Sequence, residues 1–314
     1  MKNAVKMLQD QALKAYCSLL SIFDKVQLDI KTKLSLFDAM VVPILLYGSE
    51  IWGVYNIKDV DKLHVRFLKN LLGVKQQTPN YAVLGEFGRF PLSILCKERA
   101  IRFWLKIMKN RNSPICNIYS DLCNTGSSGC WANRINTLID HLDFNNIRHN
   151  FNYEINYFPS LKNKLRDIFV QEWKGTIQSM SKLQQYCLFK SEFFCEKYLL
   201  KIQKYDLLKQ FARFRLSSHH LEIEVGRFQG IDRDQRLCRC CNMNVVESEY
   251  HFLLCCDNYR HLRLKFIGHI SWPTLNLFQT TMTSKKINKI LGICKYLKEA
   301  MLYRNNSLTE LSVP

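Results

Sequence analysis

The stretch "RLCRCCNMNVVESEYHFLLCC", residues 236–256, places five of the chain's 13 cysteines and one of its eight histidines within 21 residues. It constrains the fold tightly, because a tetrahedral metal site needs four soft or borderline donors converging from two short segments. Cys238 and Cys241, with two residues between them, form a first pair. His251 and a cysteine four or five positions later form the second, and two candidates exist, Cys255 and Cys256. A regular helix capped by Ser248 would put His251 and Cys255 on one face and turn Cys256 away. The His-x4-Cys spacing usual in compact zinc knuckles selects Cys256 instead. The expected ligands are Cys238, Cys241, His251 and Cys256 around Zn2+, with Cys255 the alternative to Cys256 and Cys240 a bystander. Four protein donors leave no open coordination position, which suits a structural ion and not a hydrolytic one. The segment between the pairs, "NMNVVESEY", is too short and polar to build a core. Metal binding is therefore expected to supply most of the local folding energy, on the order of 10 kcal/mol.

Around this cluster the chain reads as globular and mainly α. Hydrophobic residues make up 47% and charged residues 23%, and only 12 glycines and seven prolines are present, which argues against sandwiches and barrels. A length of 314 residues allows two or three domains. The expected organisation is a helical bundle over residues 1–123, a linker and helical connector over 124–230, and a small zinc knuckle with flanking helices over 231–314. The formal net charge of +18, spread along the chain, suits a polyanionic partner, nucleic acid before an acidic membrane surface.

The first 20 residues are interrupted by Lys, Gln and Asp and lack a signal peptide's apolar core. The longest apolar run, "AMVVPILLYG", is too short to span a bilayer. An intracellular protein with free thiols is expected, so metal ligation is favoured over disulfides. Cys17, Cys96, Cys187 and Cys195 read as small buried apolar residues.

Apolar residues recur at helical spacing through residues 5–20, as Val5, Leu8, Ala12, Tyr16 and Leu19. The pattern starts without a lead-in, as expected of a domain preceded by further sequence. In residues 31–53 the stripe Leu36, Met40, Ile44, Tyr47 and Ile51 contains Pro43, which predicts a kink or two abutting helices. Glu50 is expected at a helix edge, paired with a basic group. Two further helices, over 58–72 and 91–110, have apolar backs and basic fronts. Val60, Leu63, Phe67 and Leu71 oppose Lys62, Arg66 and Lys69; Ile101, Trp104, Leu105 and Met108 oppose Arg99, Arg102, Lys106 and Lys109. Such fronts suit a phosphate backbone, and Arg236 and Arg239 at the cysteine cluster join them as candidate nucleic-acid contacts. "CNTGSSGCW", residues 123–131, reads as a linker, the Asn-rich segment after it as irregular, and residues 219–235 as an extended approach to the cluster.

With its flanks, "FARFRLSSHHLEIEVGRFQGIDRDQRLCRCC" followed by "ESEYHFLLCCDNYRHLR" resembles the C-terminal Cys-Cys-His-Cys knuckle of non-LTR (LINE-type) retrotransposon reverse transcriptases. "LSLFDAMVVPILLYGSEIWG" and "LHVRFLKNLLGVKQQTPNYAVLGEFGRFPLSI" resemble the helical thumb region just after the polymerase palm of those proteins. The resemblance covers most of residues 10–110 and 205–265. It implies thumb helices that grip template–primer, and a knuckle that holds element RNA or target DNA, in a nuclear or cytoplasmic ribonucleoprotein. It also implies the ligand roles of Cys238, Cys241, His251 and Cys256.

A polymerase centre needs carboxylates for two metal ions, typically with an adjacent aspartate pair. The chain contains no Asp-Asp; its Asp-x-Asp pairs are Asp59/Asp61 and Asp232/Asp234. No catalytic residue is therefore assigned, and the chain is expected to bind RNA or DNA without polymerase or endonuclease activity of its own. Those activities would be encoded elsewhere. Two other readings are a zinc-stapled protein-interaction module and a decayed copy with no selected function.

Overall fold

A period of 3.6 residues decides the secondary structure along nearly the whole chain. The computed structural model describes residues 2–55, 59–125 and 129–311, and among these it is mainly helical, without a strand. In chain order the helices are α1 (Lys2–Lys25), α2 (Ile30–Met40), α3 (Val42–Leu45), α4 (Ser49–Trp52), α5 (Val60–Leu72) and α6 (Asn80–Phe87). There follow α7 (Leu92–Lys109), α8 (Pro114–Asn124), α9 (Trp131–His141), α10 (Asn146–His149), α11 (Phe158–Ser179) and α12 (Gln184–Phe189). The remainder are α13 (Lys197–Lys201), α14 (Tyr205–Arg215), α15 (Glu222–Phe228), α16 (Arg260–Phe266), α17 (Leu275–Met282) and α18 (Ile287–Leu311). No helix among the described residues is long and apolar enough to cross a membrane. The chain divides into two compact units, Met1–Val65 with Phe90–Glu172 and Arg66–Arg89 with Trp173–Pro314.

In the first unit α1 buries Val5, Ala12, Tyr16 and Leu19, as its spacing requires. Asp29 caps α2 by accepting the Thr32 N–H at 2.8 Å. The helical path then breaks at Val41, and Pro43 sits in the first turn of α3, where its missing N–H costs nothing. The break changes the phase of the helix. Phe37, Val41, Leu45 and Trp52 are buried, whereas Met40, Tyr47 and Ile51 of the expected stripe are exposed. Both faces of this segment are apolar, so periodicity alone did not choose between them. Glu50 lies in the first turn of α4, as expected, but makes no ion pair among the described residues.

Helix α7 behaves as its pattern predicts, burying Ile101, Trp104, Leu105 and Met108. The Trp104 indole N–H donates to the Tyr119 hydroxyl at 3.0 Å, which donates to Asn136 at 2.6 Å. Glu98 is also buried on α7 and holds Arg166 of α11 by two hydrogen bonds, at 2.6 and 3.2 Å. Asp61 accepts the N–H and hydroxyl of Ser93 at the start of α7, at 3.0 and 2.7 Å. Burial raises its pKa despite these bonds. Asp59 pairs with Lys62 at 2.6 Å, while Asp232 and Asp234 are exposed. In the expected linker 123–131, residues 126–128 lie outside the described residues; α8 and α9 flank it.

The second unit is built on a helix whose last six residues are buried. Residues Ala82 to Phe87 of α6 are all buried, Glu86 among them. The Glu86 carboxylate accepts two hydrogen bonds from Arg215, at 3.0 and 2.9 Å, and one from the Tyr198 hydroxyl at 2.6 Å. Burial pushes the Glu86 pKa up, but Arg215, Lys190 and the Tyr198 hydroxyl together outweigh it and hold the carboxyl below its ordinary value. Gly85 is required by close approach: a Cβ there would lie 2.8 Å from the Trp173 ring.

Residues 219–235 are not extended. They hold α15 and a short 3-10 turn, Arg233–Gln235. The helical period was hidden because α15 buries its carboxylates: Glu222 meets Arg304 and Arg239, and Glu224 meets Lys182 and Arg227. Among the cysteines read as buried, Cys96 is buried, Cys187 and Cys195 are half-buried, and Cys17 is exposed.

Candidate metal centre

The first two thiols sit on a tight hairpin. The Cys238 N–H donates to Val245 O at 2.8 Å and the Glu247 N–H to Arg236 O at 2.9 Å, closing a small antiparallel pairing of Leu237 with Val246. The chain reverses through Asn244, whose φ of 52° is in the left-handed region that Asn tolerates better than most residues. Cys238 and Cys241 therefore lie at the hairpin's turn end.

The second pair sits on a π-helical turn, His251–Cys255. Ser248 accepts the His251 N–H at 3.2 Å, the contact of a capping serine. The helix it caps is not regular, however: the Cys256 N–H reaches back five residues to His251 O at 2.9 Å. A π turn is wider than an α turn, so it brings the fifth residue, Cys256, over His251. In a regular helix the fourth residue, Cys255, would take that place. This resolves the choice left open by spacing. Cys238, Cys241, His251 and Cys256 offer one ligand atom each, all within 4.8 Å of one another, and Cys255 is not among them. Cys240 is also outside the group.

The donor set was tested against a tetrahedral ion. With metal–sulfur bonds of about 2.3 Å and a metal–nitrogen bond of about 2.0 Å, the edges of the tetrahedron are about 3.8 Å for S···S and about 3.5 Å for S···N. The Cys238 and Cys256 sulfurs are 4.0 Å apart, and the Cys241 sulfur is 3.5 Å from His251 Nε2. The residues fit. Burial holds the His251 imidazole below its ordinary pKa, which keeps the ring neutral, the form that can ligate.

The knuckle does not stand alone: protein contacts anchor it beside whatever a metal contributes. Its polar segment is short, but two of the carboxylates in it point inward. Glu247 is fully buried; it accepts two hydrogen bonds from Arg304 of α18, at 2.7 and 2.6 Å, and the Glu222 N–H at 2.7 Å. Glu249 accepts the Ser217 hydroxyl at 2.7 Å and faces His219 Nε2 at 3.0 Å. Beyond the π turn, Arg263 donates to Cys256 O at 2.6 Å, and the Tyr296 hydroxyl donates to Phe252 O. Phe252 is fully buried against Tyr259, Tyr296 and Phe214. These anchors were missed in the sequence. Arg304 carried a signal: it continues the buried stripe Ile293, Leu297, Ala300 on α18, where a charged residue implies a buried partner.

The basic candidates fall into two groups. Arg99, Arg102, Lys106 and Lys109 are exposed on α7, opposite its buried face. The first three line an open groove of about 640 Å³ with Phe103 and Phe158. The Arg102 guanidinium lies 4.4 Å from the centre of the Phe158 ring, and Arg99 donates to Leu46 O at 2.8 Å. Lys62 and Arg66 are also exposed. Lys69 is not; it is buried, and its ammonium donates to Gln76 O at 2.6 Å. Arg236 donates to Ile231 O at 2.9 and 2.7 Å and to Ile223 O at 3.0 Å, packed over Gly226. Its guanidinium clamps backbone, which commits three of its five donors. Arg239 remains mostly exposed beside Glu222. Comparison with protein-family models, with curated proteins and with solved structures finds no match for this chain.

Proposed function

We propose that this chain is a nucleic-acid-binding C-terminal part of a non-LTR retrotransposon reverse transcriptase, with a structural zinc ion at Cys238, Cys241, His251 and Cys256. The observation that carries the reading is the closed set of three sulfurs and one imidazole nitrogen, all within 4.8 Å of one another. Three soft thiolates with a borderline nitrogen select zinc over the hard divalent ions. Bound there, zinc supplies cross-linking and no chemistry on a substrate. The surrounding residues do the positioning: Arg304 and Arg263 hold the hairpin and the π turn against α16 and α18.

Contact with RNA or DNA is assigned to the α7 groove. Arg99, Arg102 and Lys106 supply phosphate contacts, and Phe103 and Phe158 supply rings on which an unpaired base can stack. No catalytic residue is assigned, and polymerase and endonuclease activities would belong to portions encoded elsewhere.

Affinity for structured RNA is expected to fall steeply as salt rises. Arg102→Ala with Lys106→Ala should reduce the slope of log K against log salt by about two, one for each phosphate that is no longer neutralised. The same variant should keep its full metal content. Binding that is weak at low salt, or indifferent to salt in the unaltered chain, would contradict the reading.

A protein-interaction module is the second reading, and one observation favours it. Trp272 is 84% exposed, next to Pro273, whose carbonyl accepts the Tyr250 hydroxyl beside His251. Salt-insensitive RNA binding together with loss of a protein complex on Trp272→Ala would favour that reading.

A further inference from the structure

Several cations of the second unit are matched by carboxylates. Arg215 meets Glu86, Lys190 meets Glu196, Lys182 meets Glu224 and Arg304 meets Glu247. One cleft is lined by cations without any carboxylate. It has a volume of about 600 Å³ and opens between the turn after α5, the end of α14 with the segment following it, and α18. Lys75, Arg213, His220 and Lys298 line it, and no Asp or Glu does.

The donors in this cleft keep part of their capacity free. Arg213 Nε donates to Gly73 O at 2.5 Å, which fixes the guanidinium plane, and its other nitrogens have no protein acceptor among the described residues. The Lys75 ammonium reaches His219 O at 3.3 Å, and its backbone N–H is held by Ser218 Oγ at 2.9 Å. Lys298 has no ion-pair partner among the described residues. Burial, then the charges of Lys75 and its neighbours, depress the pKa of His220, as expected where positive charge is uncompensated. Between these groups the floor is apolar, made by Val74, Phe214, Leu297 and Met301, and the amides of Gln210 and Asn305 stand at its edge.

A cleft of this size lies within the range of about 300–1,000 Å³ typical of small-ligand sites. Convergent cations beside an apolar floor and edge amides match a ligand with a phosphate at one end and a flat ring at the other. We propose that this cleft binds a nucleotide, its phosphate held by Lys75, Arg213 and Lys298 and its base laid against Met301 and Leu302, the apolar side chains that the lining leaves open. The nucleotide can come from a single strand or be free in solution; the recognising chemistry is the same. The inference goes beyond the groove on α7, because it assigns a separate ligand site within the second unit.

The test uses the full zinc-loaded chain and two probes, a fluorescein-labelled single-stranded RNA followed by anisotropy and AMP followed by calorimetry. Two variants are compared with the unaltered protein. Lys75→Ala with Lys298→Ala removes charge and leaves the Arg213–Gly73 contact in place, and Met301→Trp fills the floor without changing charge. The double variant should bind at least one probe about tenfold more weakly, and its RNA salt slope should fall by up to about two. Met301→Trp should weaken the same probe. If only RNA responds and AMP does not compete, the strand is the source; if AMP responds, the site takes free nucleotide. Unchanged affinity of both variants for both probes would overturn the proposal. The Arg102→Ala, Lys106→Ala variant separates the two sites: it should retain AMP binding, and loss of RNA binding there alone bears only on the α7 groove.

Discussion

Cys256→Ser should lose its metal altogether, whereas Cys255→Ser should retain one equivalent per chain, as measured by elemental analysis of purified protein. The two cysteines are adjacent, and only the backbone distinguishes them. The π turn closed by the Cys256 N–H on His251 O places Cys256 in the four-donor group and leaves Cys255 outside it. Loss of a structural zinc removes on the order of 10 kcal/mol of binding free energy. The damage should nevertheless stay local. Arg304, Arg263 and Tyr296 hold the knuckle from α16 and α18 without the ion. Circular dichroism should therefore show almost full helicity in Cys256→Ser, while hydrogen exchange should speed up across residues 237–256. Collapse of the whole helical signal would mean that the anchors contribute less than their burial implies.

Glu86→Gln should destabilise the second unit by about 3–5 kcal/mol, the range for breaking a buried ion pair from one side. The variant leaves the Arg215 guanidinium, 1% exposed, without its bidentate partner and with only Glu196 at 3.4 Å, a carboxylate it shares with Lys190. Arg215→Met should cost about as much, because it strands the carboxylate instead. Combining Arg215→Met with Glu86→Leu should cost less than the sum of the two single effects, since both members of the pair are then gone and Lys190 and Glu196 remain paired with each other. Urea denaturation of the three variants measures this directly. The pair also sets a pH dependence. The folded-state pKa of Glu86 is depressed, so its contribution is complete above the ordinary carboxylate value of 4.5 and is lost as pH falls through the depressed value. The gap between the unaltered protein and Glu86→Gln should accordingly narrow in acid.

The sequence was legible where one face of a helix is apolar and the other polar. Helix α7 is the clear case: its buried stripe and its exposed basic front both lie where the period puts them. Legibility failed for three separate reasons. In α2 to α4 both faces are apolar, so the break at Val41 moved burial from Met40, Tyr47 and Ile51 to Phe37, Val41 and Trp52. In α15 the buried residues include carboxylates, which invert the usual pattern until Arg304 and Lys182 are known to face them. At the metal centre the ligand types and the Ser248 cap could be read, but the widening of one helical turn is a backbone property that no residue type announces. Lys69 and Arg236 show the same limit for charge: each lies on a basic sequence face, yet each is committed to backbone carbonyls.

X-ray absorption at the zinc edge tests the metal centre most directly. One ion per chain is expected, with three sulfurs at about 2.3 Å and one nitrogen at about 2.0 Å. A shell with only two sulfurs, or one completed by an oxygen, would contradict it, because the closed donor set of Cys238, Cys241, His251 and Cys256 would then not be the site that holds the ion.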